Sequence, residues 1–216
     1  MGISLSPDEQ ARAERFLNSA KRLEFLRGRG LLRALLGGYL GCPPSAVRIG
    51  TTASGKPFLV SPSEPIEFNL SHTQGLLVLA FASRRAVGVD VEARVELPDS
   101  ESLARRILSA REQTEYARLP HALQPRAFLR CWVAEEACLK ACGHGLGVDP
   151  RRVELPVPPP AFCTARASAD PEVHGAAWHV FSFAPRAGFI ATLAWPYQKS
   201  HDSAPRLIGF DSLEPI

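Results

Sequence analysis

The chain of 216 residues is long enough for one large domain or two small lobes, each with a buried core. Its composition, with 45% hydrophobic and 22% charged residues, is that of a soluble globular protein. The net charge is only +3, which argues against a partner held by overall charge, such as a nucleic acid or a membrane.

The N-terminal part predicts a helix start followed by a long helix. Ser6 and Pro7, followed by two acids, are typical of a helix N-terminus. Leucines and aromatic residues then recur with helical spacing between residues 25 and 40, and Gly41 ends the pattern. Residues 11–33 carry a surplus of five positive charges, because seven residues are basic and two are acidic. We expect a basic face there, suited to a phosphate group or an acidic protein.

Five short strands are predicted next. They cover residues 46–49, 57–60, 66–70, 76–82 and 87–92, and residues 72–75 form a tight connection between the third and the fourth. The close spacing predicts an antiparallel sheet packed against the long helix. A polar stretch at residues 98–100 predicts the boundary between an N-terminal lobe, residues 1–98, and a C-terminal lobe, residues 99–216.

The second half predicts two helices and then two strands. The helices cover residues 100–119 and 125–142, and the stop is supplied by Gly143, His144 and Gly145. A proline-rich stretch at 156–160 predicts an extended, exposed linker. Strands at 178–183 and 189–195 form a second hairpin. The chain is therefore helix followed by sheet, twice, which predicts an α+β fold.

The cysteines favour a reducing compartment. Their number, five, is odd, and no pair forms a C-x-x-C sequence, so we expect reduced thiols. The first eight residues lack a signal-peptide pattern, and no apolar run is as long as a membrane span. These features predict a cytoplasmic protein. A zinc site built from Cys131, Cys138, Cys142 and His144 lacks a standard ligand spacing, and burial of the thiols explains them better.

Two carboxylates stand out in the strand at 87–92. Alternate side chains of a strand share a face, so Asp90 and Glu92 project together while Val89 and Val91 face the core. Two carboxylates on an apolar strand repel each other, and a hard cation such as Mg²⁺ would relieve the repulsion. A solvated strand end is the structural alternative.

Other polar residues are individually weak signals. On the predicted helix, Trp132, Glu136 and Lys140 are spaced i, i+4, i+8 and lie in one row, but Glu136 with Lys140 can also be a simple helix-stabilising pair. Lys56 sits in a turn before a strand, and Ser71 and His72 lie at a strand end.

The order and spacing of these sequences are more specific. G-K-P, F-N-L-S-H, V-G-V-D-V-E and W-x-x-x-E-A-x-x-K follow one another in this order between about residues 22 and 145. Together they resemble the 4'-phosphopantetheinyl transferases, in particular the larger, pseudodimeric branch that serves carrier proteins. The stretch from Gly28 to Arg33 also matches the arginine-bearing helix of that family.

The resemblance implies a role for each matching residue. Asp90, Glu92 and Glu136 would hold Mg²⁺, which bridges the pyrophosphate of coenzyme A. The catalytic residues would be Glu136, matching the proposed base for the carrier serine, Lys140, matching a phosphate contact that supports charge on the departing 3',5'-ADP, and Asp90. The residues implied to bind the coenzyme are Arg22, Arg29, Lys56, Ser71 and His72, the last near the 3'-phosphate.

The implied activity is transfer of 4'-phosphopantetheine from coenzyme A to a serine of an acyl or peptidyl carrier protein. The implied fold has two similar lobes about a pseudo-twofold axis, each a small, mainly antiparallel sheet with a long helix, and the implied state is a monomer. Nucleic acid and membrane are not expected partners. Part of the basic face at 11–33 would then serve docking of the carrier protein.

Two departures from the family pattern motivate other hypotheses. The family usually has lysine where this chain has Glu135, and often arginine where it has Glu24. Glu135 either adds a carboxylate near the cation or, a quarter-turn from Glu136, faces solvent. The alternative function is a module that binds carrier protein or coenzyme A without catalysis. A nucleic-acid binder using the arginine-rich helix ranks third, since interleaved aromatic residues are lacking.

Overall fold

The computed structural model describes residues 5–62, 64–143, 149–167, 177–198 and 205–209. Its helices are α1 Pro7–Glu14, α2 Ser19–Leu40, α3 Ser100–Ile107, α4 Ala110–Ala117 and α5 Gln124–Cys142. Its strands are β1 Arg48–Thr51, β2 Pro57–Ser61, β3 Ile66–Thr73, β4 Leu76–Ser83, β5 Gly88–Ala93, β6 Val153–Glu154, β7 Phe162–Ala167, β8 Ala177–Phe183 and β9 Phe189–Pro196. The α+β class predicted from the sequence is confirmed.

The chain forms two compact units. The first comprises Met1–Thr52, Pro57–Ile66 and Arg206–Ile216, and the second comprises Ala53–Lys56 and Glu67–Pro205. These boundaries differ from the predicted division at residue 98. The two lobes, 1–98 and 99–216, and the pseudo-twofold axis between them stay predictions.

The first unit contains α1, α2 and the β1–β2 hairpin. The predicted helix start is confirmed, because the side chains of Ser6 and Glu9 form a capping box at the N-terminus of α1. Helix α2 ends at Gly41, which has the left-handed conformation that favours glycine. The strand predicted at 46–49 is displaced: residues Pro44–Ala46 form a 3-10 turn, and β1 starts only at Arg48.

The expected basic face of residues 11–33 is only partly exposed. Arg33 is buried, and its Nε donates a hydrogen bond of 2.8 Å to Oε2 of Glu9. The Nη1 of Arg33 also donates to the carbonyl oxygens of Pro44 and Val47. This arginine therefore fixes the loop after α2, which removes one charge from the predicted face.

The second unit is built on a five-stranded antiparallel sheet with the order β5-β9-β8-β7-β6. Helix α5 packs on it through small side chains. The buried contact comprises Ala134, Ala137, Cys138 and Ala141 of the helix and Ala165, Trp178, Val180 and Ala194 of the sheet. Small residues let the helix approach the strands closely, and this closeness positions α5 beside β5.

The predicted hairpins at 66–82 and 178–195 are confirmed as β3–β4 and β8–β9. However, the first five strands do not form one sheet, since β1–β2 and β3–β4 are separate pairs and β5 joins the C-terminal strands through β9. Residues 72 and 73 belong to β3, and the turn is confined to Gln74 and Gly75, both with positive φ. Strands β6 and β7 were not predicted.

The helix predicted at 100–119 is two helices. Ser109 caps α4, because its Oγ accepts from the amide of Glu112 and Glu112 accepts in turn from the amide of Ser109. This capping box was present in the sequence as S-x-x-E. Helix α5 ends at Gly143 in the left-handed conformation, as predicted, while His144 and Gly145 lie outside the described residues.

Gly88 allows β5 to lie against α5. A Cβ atom at this position would overlap the carbonyl oxygen of Ala137 and the amide nitrogen of Ala141.

We expect Gly88→Ala to lower the free energy of unfolding by at least about 3 kcal/mol, because backbone cannot move aside as a side chain can. Urea denaturation measures the change. Gly38→Ala is the control: its Cβ meets no described atom within 4 Å, and helix propensity predicts a gain of up to about 1 kcal/mol. Equal stability of Gly88→Ala and the parent would contradict the close packing.

Candidate active site

Strand β5 directs two acids towards helix α5. Gly88 faces the helix, and side chains two and four residues further along a strand share its face, so Asp90 and Glu92 face the helix as well. Asp90 is 5% exposed and Glu92 is half-buried. Val89 and Val91 alternate with them and are buried in the core, as predicted.

Helix α5 carries a carboxylate, that of Glu136, and an ammonium group, that of Lys140, on its side near Asp90. Glu136 is 4% exposed, and Lys140 follows one turn later. The Nζ of Lys140 lies 2.6 Å from Oδ1 of Asp90 and also donates to Oγ of Ser71 at 3.1 Å. The Oγ of Ser71 donates to the same oxygen of Asp90 at 2.8 Å. The structure thus brings together Asp90, Lys140 and Ser71, three of the residues predicted for the site.

The acids at this site influence one another. Burial raises the pKa of Glu136 to about 7; Lys140 acts against this shift, while Asp90 and Glu92 add to it. Burial also raises the pKa of Glu92, and the charge of Asp90 contributes to the rise. The charge of Asp90 therefore acts on both glutamates.

Two carboxylate oxygens are suited to a cation. Oδ2 of Asp90 and Oε1 of Glu136 are buried and have no hydrogen-bond partner among the described residues. Buried carboxylate oxygens without donors are costly, and they are the ligand type that Mg²⁺ prefers. Within the described ranges, no group of three or more His, Cys, Asp or Glu side chains is close enough to hold a metal ion. The chemistry of the two unpartnered oxygens fits Mg²⁺, whereas a single site shared by all three acids stays a prediction.

The turn before β2 is hydrogen-bonded to the C-terminal end of α5. The Nζ of Lys56 donates to the carbonyl oxygen of Lys140 at 3.0 Å, and Oγ of Ser54 donates to that of Gly143 at 2.7 Å. Burial lowers the pKa of Lys56. Lys56 thus lies beside Lys140, whereas His72 is exposed on the face of β3 opposite Ser71.

Arg22 and Arg29 lie in the first unit, on α2. Arg22 is exposed, as is Glu24. Arg29 is half-buried; its Nε lies 3.6 Å from Oε1 of Glu9, and its guanidinium lies over the ring of Phe25 at 5.6 Å. Burial lowers the pKa of Arg29. The predicted coenzyme contacts of Arg22 and Arg29 stay predictions.

Two family models match the chain. The family model for the 4'-phosphopantetheinyl transferase superfamily matches residues 86–194, which include β5 and α5. A second model, for the N-terminal part of 4'-phosphopantetheinyl transferases, matches residues 2–84. The chain belongs to the 4'-phosphopantetheinyl transferase superfamily.

Several members of the superfamily are similar in sequence. The 4'-phosphopantetheinyl transferase HetI of Nostoc sp. is 40% identical over 148 residues, which cover 68% of this chain and 62% of HetI. The L-aminoadipate-semialdehyde dehydrogenase-phosphopantetheinyl transferase of Mus musculus is 30% identical over 166 residues, which cover 72% of this chain and 54% of that protein. The chain therefore spans between about half and two-thirds of the length of these relatives.

The holo-[acyl-carrier-protein] synthase of Thermotoga maritima is among the solved structures that match the chain. It is 22% identical, with a TM-score of 0.36, and the match covers 53% of this chain and 64% of that one. No helix in the described part of the chain has the length and apolar character to span a membrane.

Glu135, the residue before Glu136 on α5, is fully buried with 0% exposure. The expectation that it faces solvent is wrong. Both of its carboxylate oxygens lack a hydrogen-bond partner among the described residues. Burial raises the pKa of Glu135 well above its ordinary value, and the charges of Glu112 and Glu136 add to the rise. Burial of this carboxylate therefore lowers the free energy of unfolding.

The five cysteines are all free thiols. Cys131 and Cys138 are buried, and burial raises the pKa of both well above the ordinary value, which keeps them protonated. The fourth residue of the rejected zinc set, His144, lies outside the described residues.

Two polar residues near the acids were not predicted from the sequence. Oδ1 of Asn69 accepts from the amide of Val89 at 2.9 Å, and Oγ1 of Thr73 donates to Oε2 of Glu92 at 3.2 Å. Their signal was the alternation N-x-S-x-T, which places Asn69, Ser71 and Thr73 on one face of a strand. The strand predicted at 66–70 ends before Thr73, so this shared face extends beyond the predicted strand.

Proposed function

We propose that the protein transfers the 4'-phosphopantetheine group of coenzyme A to a serine of an acyl or peptidyl carrier protein, with release of 3',5'-ADP. Membership of the superfamily supports this activity. The observation that supports it most directly is the contact between β5 and α5. Oδ1 of Asp90 lies 2.6 Å from Nζ of Lys140, and Asp90 and Glu136 each have a buried carboxylate oxygen without a hydrogen-bond partner among the described residues.

The residues that would hold Mg²⁺ are Asp90, Glu92 and Glu136. When bound, the ion would neutralise the pyrophosphate of coenzyme A and the charge that develops on it. Lys140 lies next to these acids, so its ammonium group is suited to stabilise the oxygen of the departing 3',5'-ADP.

Glu136 is suited to act as the base. A serine hydroxyl is a weak nucleophile and needs to lose its proton as it attacks phosphorus. A carboxylate can accept that proton, and burial raises the pKa of Glu136 to about 7. The serine oxygen bonds to the phosphorus attached to the pantetheine arm. The bond from that phosphorus to the bridging oxygen breaks, and its electron pair leaves with 3',5'-ADP.

Basic and polar residues would bind the coenzyme. Lys56 and Ser71 border Lys140 and are suited to the pyrophosphate, whereas exposed His72 is suited to the 3'-phosphate. Arg22 and Arg29 would add phosphate contacts, and exposed basic residues of 11–33 would contact the carrier protein. We further propose a monomer in the cytoplasm, where the five free thiols would stay reduced.

Affinity for Mg²⁺ should increase with pH through 7. A carboxylate binds the cation only when ionised, and the pKa of Glu136 is raised to about 7. The ionised fraction of such a group grows about fivefold between pH 6 and pH 7, so we expect a similar gain in affinity. Calorimetry at both pH values checks this, with Glu136→Gln as the control that should lose most of the dependence and keep only the part due to Glu92. A pH-independent affinity of the parent protein would contradict the role of Glu136.

The activity is tested by incubating the protein with coenzyme A, Mg²⁺ and several apo-carrier proteins, followed by intact-mass spectrometry. The expected result is a carrier heavier by the phosphopantetheine arm, and none when the acceptor serine is replaced by alanine. Measurable binding of coenzyme A without a mass shift on any carrier would support the alternative, a binding module that has lost catalysis. That alternative is motivated by Glu24 and Glu135, which replace two basic residues usual in the superfamily.

A further inference from the structure

Strands β3 and β5 are connected by side chains. They belong to different sheets of the second unit, because β3 pairs with β4 and β5 pairs with β9. Asn69, Ser71 and Thr73 nevertheless bond β5 from alternate positions of β3. Oδ1 of Asn69 accepts from the amide of Val89 at 2.9 Å, and Oγ of Ser71 accepts from the amide of Val91 at 3.3 Å.

The same face of β3 also bonds the two acids. Oγ of Ser71 donates to Oδ1 of Asp90 at 2.8 Å, and Oγ1 of Thr73 donates to Oε2 of Glu92 at 3.2 Å. Ser71 and Thr73 are two residues apart, as are Asp90 and Glu92, so the two strands keep one register along this contact. Each acid therefore has one oxygen held by one hydroxyl group of β3.

This arrangement leaves the second carboxylate oxygen of Asp90 without a hydrogen-bond partner among the described residues. Its Oδ1 is engaged by Ser71 and Lys140, while Oδ2 is buried without a partner among the described residues. Glu92 has a longer side chain and is half-buried, so it has more rotational freedom to lose than Asp90. A hydroxyl group that fixes Glu92 lowers the entropy cost of binding a cation.

We propose that Thr73 is a positioning residue that orients the carboxylate of Glu92 towards the metal ion, as Ser71 orients that of Asp90. The proposal rests on the proposed function, since it concerns the same Mg²⁺ site. Asn69 supports both by holding the backbone of β5 in register. Threonine suits the position because its χ1 is restricted in a strand, which keeps the hydroxyl group directed at Glu92.

The test compares Thr73→Val, which keeps the branched shape and removes the hydroxyl group, with Thr73→Ser, which keeps the hydroxyl group. Mn²⁺ binding, measured by electron paramagnetic resonance without substrate, is the readout besides activity. We expect Thr73→Val to weaken Mn²⁺ binding about three- to tenfold, the cost of immobilising one flexible side chain on binding. Thr73→Ser should restore most of it, and the KM for coenzyme A at saturating metal should change little.

Thr114→Val is the matched control. Its hydroxyl group donates to the carbonyl oxygen of Ala110 on the exposed face of α4, so its loss should leave Mn²⁺ binding unchanged. Thermal melting of every variant reports any general loss of stability. The proposal is overturned if Thr73→Val binds Mn²⁺ as the parent does. It is overturned as well if Thr73→Ser is as impaired as Thr73→Val. A parent protein that binds no Mn²⁺ and loads no carrier would instead contradict the proposed function itself.

Discussion

Replacement of Glu136 by glutamine is expected to lower the kcat for carrier loading at least about a hundredfold. The amide has nearly the same shape, but it cannot accept the serine proton and is a weaker ligand for Mg²⁺. Burial raises the pKa of Glu136 to about 7. The rate is measured by intact mass of the carrier at saturating coenzyme A.

The adjacent residue supplies the control. Glu135→Gln makes the same chemical change one position earlier on α5, at a residue with no role in the proposed reaction. It should keep the parental kcat, whereas Glu136→Gln should not. If Glu136→Gln loads a carrier as fast as the parent, this residue is not the base. Circular dichroism of both variants checks that the fold is kept.

Replacement of Glu135 by methionine is expected to stabilise the protein. The carboxylate is fully buried, its two oxygens have no partner among the described residues, and burial raises its pKa well above 4.5. Methionine has a similar volume and no polar group to desolvate, so we expect a gain of about 1–3 kcal/mol in the free energy of unfolding at neutral pH. Urea denaturation measures it.

The gain should depend on pH in a defined direction. The pKa of Glu135 is higher in the folded than in the unfolded state, so the folded state binds more protons above pH 4.5. Unfolding then releases a proton, and stability falls as pH rises. The advantage of Glu135→Met over the parent should grow by up to about 1.4 kcal/mol per pH unit above that point, until the folded pKa is reached. An advantage that shrinks with rising pH would contradict the account.

Local signals in the sequence predicted several features correctly. The acids after Ser6 and Pro7 indicated the start of α1, and the left-handed glycines at 41 and 143 end the two long helices where expected. The alternation of Asp90 and Glu92 with valines predicted their common face. In each case neighbouring residues in the chain carry the information, so no long-range contact is needed.

Features that depend on long-range contacts were missed. The pairing of β5 with β9 joins residues about a hundred positions apart, and nothing in either strand specifies the partner. Glu135 was expected near solvent or the cation. Helical spacing predicts the direction in which a side chain projects from the helix, but not which other elements pack over that side of the helix. The burial of Glu135 depends on residues distant in the sequence, since its charged neighbours include Glu112 of α4 and Asp149. The roles of Asn69 and Thr73 likewise appear only once β3 lies beside β5.

In the proposed site, one cation joins acids from a strand and a helix. Crystals grown with coenzyme A and Mn²⁺ would test it through anomalous scattering. We predict one strong peak within bonding distance of Oδ2 of Asp90, Oε1 of Glu136 and a carboxylate oxygen of Glu92, in contact with the pyrophosphate. Coenzyme A bound at full occupancy, with no manganese peak at these three acids, would contradict the proposed metal site.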